Sequence, residues 1–260
     1  MKRKNFLLDK EWKFTSDDMS QNSNKMSHGD SYMISKAGYC GGPGGMSFDD
    51  SGWREVDLPH DYFSETEFSP DNLHSHGYKT RGNGWYRKTF KLDENLRGCH
   101  FMLVFEGVSV TSDIYFNGSV AGRSFSAYAE LPIDVTDRVH FGDTPNVLAV
   151  SFNGMTTEGW WYEGAGIYRH VRLFCKDTLH IAHNGIFVKP VYTSGCGWNV
   201  TVEAEIENSG YKKAPYRLDI SLMDGDKIVD HTLTQPLCCP ADGRDTSITG
   251  FEVISPELWD

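Results

Sequence analysis

The sequence predicts an all-β protein built from two β-sandwiches, the first large and the second smaller. Aromatic residues make up 13% of the 260 residues and glycine occurs 26 times, a composition that favours strands and turns over helices. Short apolar or alternating segments recur with turn signals between them, as they do in sandwiches and jelly rolls. No alternation of helices and strands is visible, so we expect neither a TIM barrel nor a Rossmann unit in these residues.

The first sandwich begins with short extended segments. A strand is expected around Trp12–Phe14, and Trp53–Leu58 resumes an extended pattern that ends at Pro59. Proline has no N–H to donate, so it does not continue a central strand. Residues 15–52 are rich in Ser, Asp, Asn and Gly, which predicts a loop region.

Strands are expected at regular intervals from residue 84 onward. They are Trp85–Leu92, Phe101–Phe105, Ile114–Phe116, Val147–Phe152 and Val171–Phe174. The continuous apolar run at Phe101–Phe105 indicates a strand covered on both faces. In Val147–Phe152 the alternation places Leu148, Val150 and Phe152 on one face. Asn117-Gly118 is a strong hairpin signal because both residues tolerate a positive φ.

The pattern changes after about residue 177. Val200, Val202, Ala204 and Ile206 alternate with polar residues, and Tyr216–Leu222 repeats the alternation. Such strands have one buried and one solvated face, which indicates a second sandwich of immunoglobulin type, with a turn at Asp224-Gly225. We therefore predict one domain at 1–176 and a second at 177–260.

Charge, cysteines and hydropathy restrict the class of function. The formal net charge is −11, which argues against nucleic acid and against an anionic membrane surface as partners. No transmembrane span is found and Phe6–Leu8 is too short for a signal peptide, so we expect a cytoplasmic chain, with export of a native precursor left open. No C-x-x-C pair occurs, so we expect no zinc site, and no other metal or cofactor is expected. A disulfide between the adjacent Cys238 and Cys239 would be strained, so we expect reduced thiols. The cysteines are Cys40, Cys99, Cys175, Cys196, Cys238 and Cys239.

One segment carries most of the functional information: residues 158–171, hereafter the aromatic segment. It contains two adjacent tryptophans, a tyrosine and two glutamates before Gly164 and Gly166, and it returns to strand-like sequence at Val171. Flat rings beside hydrogen-bonding groups suit a sugar, because a ring covers the apolar C–H face while polar groups bind the hydroxyls. The alternative is a buried aromatic corner of the sandwich.

Five motifs occur in an order that resembles a known family. They are Leu58-Pro59-His60-Asp61-Tyr62, Gly84-Trp85-Tyr86-Arg87-Lys88, Phe105-Glu106-Gly107-Val108, Phe116-Asn117-Gly118 and Gly164-Ala165-Gly166-Ile167-Tyr168-Arg169. Together they resemble the N-terminal sugar-binding domain of family 2 glycoside hydrolases, the β-galactosidases, β-glucuronidases and β-mannosidases. The resemblance spans roughly residues 50–176 and implies a galactose-binding-like jelly roll. Residues 177–260 resemble the immunoglobulin-like second domain of the same enzymes.

The resemblance implies a retaining exo-glycosidase, most nearly a β-galactosidase. Its two catalytic glutamates would lie on a TIM-barrel domain beyond residue 260, so we assign no catalytic residue and expect the chain alone to be inactive. Glu257–Asp260 resembles the entry to the last strand of the second sandwich, which we expect to be incomplete. The implied partners are a β-glycoside, the chain's own C-terminal barrel and further copies in a homo-oligomer. The alternatives are a stand-alone carbohydrate-binding module and a structural interaction domain.

Six residues are candidates for sugar contact. They are Trp160, Trp161, Glu163, Glu158, Arg81 and Asn83. The family often has an aspartate where Trp160 stands, so Glu158 or Glu163 would supply a carboxylate instead. The resemblance places the loop that holds Arg81 and Asn83 near the sugar. Without a sugar role, Glu163 would pair with an arginine and the loop would be an ordinary polar one. His60-Asp61 is expected to stabilise a turn, and Arg169 to tie loops together.

Overall fold

A computed structural model of the chain describes residues 3–16, 42–195, 197–254 and 256. The chain divides into two compact units, one that ends at Cys175 and one that begins at Lys176. Both consist of strands and short connections, which confirms the predicted all-β class with a jelly-roll and an immunoglobulin-like sandwich. Three sequence features lie outside the described residues, namely Cys40, Cys196 and residues 257–260.

Among its described residues, the first unit has ten strands and five 3₁₀ helices. The strands are β1 (Arg3–Leu7), β2 (Trp12–Thr15), β3 (Arg54–Val56), β4 (Asn83–Phe90), β5 (His100–Phe105), β6 (Ser112–Phe116), β7 (Ser119–Ser124), β8 (Leu131–Asp134), β9 (Asn146–Asn153) and β10 (Val171–Lys176). The 3₁₀ helices are Gly42–Gly44, Tyr62–Glu65, His74–His76, Glu94–Leu96 and Thr136–Arg138. Six strands form an antiparallel sheet in the order β3-β2-β4-β9-β6-β7, and four form a second sheet in the order β1-β10-β5-β8.

The apolar faces of these two sheets form the core of the first unit. Trp12, Phe14, Tyr86 and Phe152 from the larger sheet contact one another through their rings. Strand β9 is buried on both faces: Val147 and Ala149 are covered as well as the predicted inward face. Strands β1, β7 and β8 were missed by the pattern, because each is short and has mixed polarity.

The β6–β7 hairpin has the turn that its sequence predicts. Asn117 and Gly118 both have positive φ, 50° and 81°. Two residues with positive φ turn the chain in the sense of the strand twist, so the hairpin closes without splaying its strands. The Asn117 side chain also accepts from Val147 N–H at 2.8 Å and donates to Arg138 O at 2.6 Å. The turn is thereby attached to the start of β9.

The second unit is a smaller sandwich. Its strands are β11 (Leu179–Thr193), β12 (Gly197–Asn208), β13 (Ala214–Tyr216), β14 (Asp219–Asp224), β15 (Lys227–Leu233), β16 (Leu237–Cys239) and β17 (Gly243–Val253). They form a three-stranded sheet, β11-β12-β17, and two pairs, β13-β16 and β14-β15. In β12 the predicted face is correct, because Val202, Ala204 and Ile206 are buried. The single strand predicted over Tyr216–Leu222 is wrong: β13 ends at Tyr216 and β14 pairs with a different strand.

Among the described residues, Cys99, Cys175, Cys238 and Cys239 form no disulfide, and three of them are buried. This agrees with the expectation of reduced thiols for these four residues. Within the described part of the chain, no helix is long and apolar enough to cross a membrane.

Candidate functional site: the aromatic segment and its neighbours

The aromatic segment lies in the connection between β9 and β10, and its second half is anchored by backbone hydrogen bonds. Tyr62 N–H donates to Ala165 O at 2.7 Å, and His60 N–H donates to Ile167 O at 2.8 Å. From the other side, Ser109 N–H donates to Gly166 O at 2.9 Å. Because three separate bonds hold residues 165–167, this half of the segment is a fixed base for the residues before it.

Two glycines permit this anchoring. Gly164 has φ +71°, and a Cβ there would lie 2.8 Å from Asp61 Oδ1. Gly166 has φ +128°, and a Cβ there would lie 2.2 Å from Tyr86 Oη. Only a residue without a side chain fits both the backbone conformation and the space, so these glycines serve geometry, as expected from the sequence.

Asp61 connects the segment to the neighbouring 3₁₀ helix. Its Oδ1 accepts from Phe63 N–H at 3.1 Å, which caps that helix, and from Ala165 N–H at 2.8 Å. Its Oδ2 accepts from Tyr162 Oη–H at 2.6 Å. Burial and the Asp61 carboxylate raise the pKa of Tyr162, so its hydroxyl stays a donor at neutral pH. The turn-stabilising role expected for Asp61 is observed, and it extends to the aromatic segment.

The rings of the first half of the segment face solvent. Trp160 is 90% exposed and Trp161 is 52% exposed. The alternative of a buried aromatic corner is therefore wrong for these two residues. Trp161 Nε1–H donates to Tyr128 Oη at 2.6 Å, and its ring lies over Gly159, where a Cβ would come within 2.3 Å of it. Trp160 makes no hydrogen bond or ring contact with the described residues.

The two glutamates of the segment bind backbone N–H groups. Glu163 Oε1 accepts from Glu158 N–H and from Gly159 N–H, the latter at 2.7 Å. Glu158 Oε2 accepts from Ala127 N–H at 2.9 Å. The alternative that Glu163 pairs with an arginine is not what the structure shows. Its second oxygen, Oε2, is buried with no partner among the described residues.

Asn83 is the first residue of β4 and Arg81 lies two residues before it. Both are next to the N-terminal end of the β9–β10 connection, at residues 154–156. Arg81 donates from Nε to Gly154 O at 2.8 Å and from Nη2 to Thr156 O at 3.0 Å. Burial lowers its pKa, although the nearby Glu163 carboxylate acts in the opposite direction. Asn83 Oδ1 is buried and has no partner among the described residues. Arg81 therefore supports the loop, while Asn83 keeps a free acceptor.

Tyr168, near the C-terminal end of the aromatic segment, adds a further polar group. Burial raises its pKa to about 12, and the Tyr128, Glu158 and Glu163 side chains add to the rise. Its hydroxyl is buried without a partner among the described residues. The segment thus combines exposed rings with two carboxylates, while three polar atoms, those of Asn83, Glu163 and Tyr168, are buried without a partner among the described residues. Exposed rings beside carboxylates are groups that can bind the two kinds of surface of a sugar.

Comparison with known proteins identifies the family. The model of the glycosyl hydrolase 2 galactose-binding domain-like family matches residues 56–202, more than half of the chain. The chain belongs to glycosyl hydrolase family 2. The resemblance predicted from the five motifs is thereby confirmed.

Family 2 relatives are matched along only part of their own length. β-Galactosidase BoGH2A of Bacteroides ovatus is 32% identical over 232 residues, which cover 82% of this chain and 25% of that protein. A β-glucuronidase of Formosa agariphila is 27% identical over 239 residues, which cover 82% of this chain and 24% of that protein. The chain thus spans about a quarter of the length of these relatives.

Solved structures of family 2 have the same architecture. A family 2 member from Bacteroides cellulosilyticus superposes with a TM-score of 0.82 at 26% identity, covering 100% of this chain and 31% of that one. A Bacteroides uniformis β-glucuronidase superposes with a TM-score of 0.81 at 22% identity, covering 99% of this chain and 29% of that one. The second comparison supports the fold alone.

Two residues of the candidate site were missed or undervalued in the sequence. Tyr128 lies in the β7–β8 connection, outside the five motifs, and only its ring type could have drawn attention to it. Asp61 is part of a motif, but its contacts with Tyr162 and Ala165 join residues about a hundred positions apart. Sequence spacing carries no information about such contacts.

Proposed function

We propose that the chain is the non-catalytic N-terminal portion of a retaining exo-glycosidase, most nearly a β-galactosidase, that hydrolyses O-glycosidic bonds in carbohydrate metabolism. Retaining hydrolysis requires two carboxyl groups about 5–5.5 Å apart on either side of the scissile bond. In this proposal both belong to a TIM-barrel domain beyond residue 260. The chain itself shapes the pocket, and its partners are a β-glycoside, that barrel and further copies in a homo-oligomer.

The observation that carries the proposal is the aromatic segment in a family 2 domain. Its base is fixed by backbone hydrogen bonds, and Trp160 and Trp161 extend from it into solvent. Large exposed rings are unfavourable in water unless a partner covers them, and a sugar offers the matching apolar C–H face. The coverage of about a quarter of each relative's length supports the view that further domains complete the site.

The proposed sugar contacts fall into two groups. The rings of Trp160 and Trp161 would cover sugar faces, and the remaining candidates would bind hydroxyls. Those remaining candidates are Glu158, Glu163, Arg81 and Asn83. Among them, Asn83 Oδ1 and Glu163 Oε2 lack a partner in the described residues but are buried, so each would reach a hydroxyl only after the surrounding side chains move. Arg81 would act indirectly, since its guanidinium already donates to Gly154 O and Thr156 O.

A neutral sugar suits this part of the site better than a uronic acid. The segment brings two carboxylates, Glu158 and Glu163, close to the rings. Their negative charge would repel the carboxylate of a uronic acid. The Arg81 guanidinium, which could bind a uronate, is directed at backbone carbonyls. The relative with 32% identity is a β-galactosidase, which agrees with a neutral substrate.

The proposal is tested with the complete product of the gene that encodes this chain. Purified protein would be assayed on the 4-nitrophenyl β-glycosides of galactose, glucuronic acid and mannose. We expect the galactoside to be the best substrate and NMR to show the β-anomer as the first product, as retention requires. A preference for the glucuronide would overturn the galactosidase assignment, and a first product with the α-configuration would overturn the retaining mechanism.

A stand-alone carbohydrate-binding module is the second candidate function, and the exposure of Trp160 and Trp161 favours it. The two functions differ in what the encoding gene specifies. A gene product that continues into a barrel with two catalytic glutamates supports the glycosidase. A gene product that ends with these two sandwiches and binds sugar without turnover supports the module.

A further inference from the structure

Trp161 and Tyr128 form a ring pair that is fixed in geometry and open to solvent. The indole Nε1–H donates to the phenol oxygen at 2.6 Å. The ring centroids are 6.5 Å apart and the ring planes are inclined by 51°. Tyr128 is 46% exposed and Trp161 is 52% exposed, so each ring leaves about half of its surface to solvent.

A second contact fixes this ring pair to the body of the unit. Glu158 Oε2 accepts from Ala127 N–H at 2.9 Å, and Ala127 is buried. The β7–β8 connection, residues 125–130, is therefore joined to the aromatic segment at two adjacent points. Gly159 lies directly under the Trp161 ring, which removes the space for another ring position there. Side chains that are ordered before binding lose less conformational entropy when a ligand arrives.

Trp160 differs from Trp161 in each of these respects. It is 90% exposed, and no described residue donates to it, accepts from it or stacks on it. Holding a free side chain in one rotamer costs conformational entropy, which opposes binding. The two adjacent tryptophans are therefore unequal, and Trp161 is the better preorganised one.

The polar groups of the ring pair match a sugar hydroxyl. Because Tyr128 Oη accepts from Trp161 Nε1–H, its own proton is free to be donated to a ligand oxygen. Glu158 and Glu163 add negative charge nearby, which disfavours an anionic ring. Phe125, which is 71% exposed, extends the apolar surface along the β7–β8 connection. One aromatic face covers about one pyranose ring, so two inclined faces offer room for a second ring beside the first.

We propose that Trp161 and Tyr128 form a subsite for two adjacent rings of a neutral oligosaccharide, one ring on each aromatic face, with the Tyr128 hydroxyl donating to a sugar oxygen. This inference rests on the proposed function, and it specifies the substrate as a β-galactoside of at least two neutral rings. Tyr128 becomes a binding residue, and Trp160 is relegated to a minor contact.

The test is an NMR titration of the 260-residue chain with lactose, and with methyl β-D-galactopyranoside as the single-ring probe. We expect the Trp161 indole N–H resonance to shift with lactose and to shift less with the single-ring probe. Trp161→Ala and Tyr128→Ala are expected to weaken lactose binding by about tenfold, and Tyr128→Phe by about threefold, because it keeps the ring and loses the hydroxyl. Trp160→Ala should weaken lactose binding less than Trp161→Ala does, and Tyr211→Ala, at a ring that is 98% exposed in the second unit, is the control that should change the Kd by less than about twofold.

Melting temperatures of the variants separate lost binding from lost folding. Three results would overturn the inference: no shift of the Trp161 indole in saturating lactose, equal affinity for the two probes, or a larger loss for Trp160→Ala than for Trp161→Ala. The proposed glycosidase function fails differently, through absence of β-glycoside hydrolysis by the complete gene product. If the complete gene product did not hydrolyse β-glycosides, lactose binding through Trp161 would still support this subsite. If this subsite did not bind lactose, hydrolysis by the complete gene product would still support the glycosidase function.

Discussion

At the scale of single residues, Asp61 is the link between the aromatic segment and the rest of the first unit. Its carboxylate accepts from the Phe63 N–H of the neighbouring 3₁₀ helix, and from the Tyr162 hydroxyl and the Ala165 N–H of the aromatic segment. A half-buried carboxylate with three donors has little freedom to move. The position of Tyr162, and with it that of the tryptophans before it, therefore depends on this side chain.

Replacing this link should destabilise the fold to different degrees. Asp61→Ala leaves two backbone N–H groups without their acceptor and should lower the free energy of unfolding by about 2–3 kcal/mol. Tyr162→Phe removes one donor and should cost about 1 kcal/mol. Tyr211→Phe, on an almost fully exposed ring, is the matched control. Urea unfolding measures all three. A loss for Asp61→Ala no larger than for the control would contradict the role of Asp61.

His60 is a second residue whose surroundings determine its chemistry. Its ring is buried, with Nδ1 at 2.6 Å from Tyr86 Oη and Nε2 at 3.2 Å from Glu65 Oε1. Burial lowers its pKa, although the Glu65 carboxylate acts in the opposite direction. Arg54 Nη2 also lies 3.3 Å from Nε2, and its positive charge lowers the pKa of His60 further.

This lowered pKa predicts a pH dependence of stability. The unfolded chain binds a proton at His60 below about pH 6.5, while the folded chain binds it only at lower pH. The contribution of His60 is therefore complete above pH 6.5 and is lost as the pH falls through the folded pKa. His60→Asn should reduce the loss of stability between about pH 7 and pH 5 relative to the unmodified chain. Urea unfolding at both pH values measures it, and an equal or larger loss in the variant would refute the assignment.

At the scale of elements, the β6–β7 hairpin shows how a turn can also organise a sheet. Asn117 adopts positive φ, and its amide binds Val147 N–H, Arg138 O and Asn146 Oδ1. The hairpin and the start of β9 are thus held by one side chain. Asn117→Gly keeps the backbone conformation and loses the amide, whereas Asn117→Ala loses both.

The two substitutions should therefore rank in a fixed order. We expect Asn117→Ala to lower the free energy of unfolding by about 2–4 kcal/mol and Asn117→Gly by about 1–2 kcal/mol. Thermal unfolding followed by circular dichroism would measure the order. If Asn117→Gly were the more damaging change, the positive φ would not contribute as described.

The sequence was informative where the physical cause is local. Asn117-Gly118 predicted its hairpin because backbone sterics decide that turn. It was less informative where the cause is tertiary: the break at Arg217-Leu218 depends on which partner each strand finds. In the candidate site, the sequence left both a sugar-facing and a buried position open for Trp160 and Trp161, and the partner Tyr128 lies 33 residues from Trp161 without any motif.

At the scale of the whole molecule, two all-β units account for the described chain, and the first belongs to a family of glycosidases. The chain spans about a quarter of the β-galactosidase relative from Bacteroides ovatus. Under the proposed function, the exposed rings of the aromatic segment are the part of this chain that further domains would help to cover.

The proposal that this chain shapes the site while the catalytic groups lie elsewhere is tested by comparing two proteins. The measurement is the rate of hydrolysis of 4-nitrophenyl β-D-galactoside. One protein is the 260-residue chain, purified from a host without β-galactosidase, and the other is the complete product of the encoding gene. We predict hydrolysis by the complete product and none above background by the chain. Turnover by the chain itself, or no hydrolysis by the complete product, would contradict the proposal that these residues shape a site whose catalytic groups lie elsewhere.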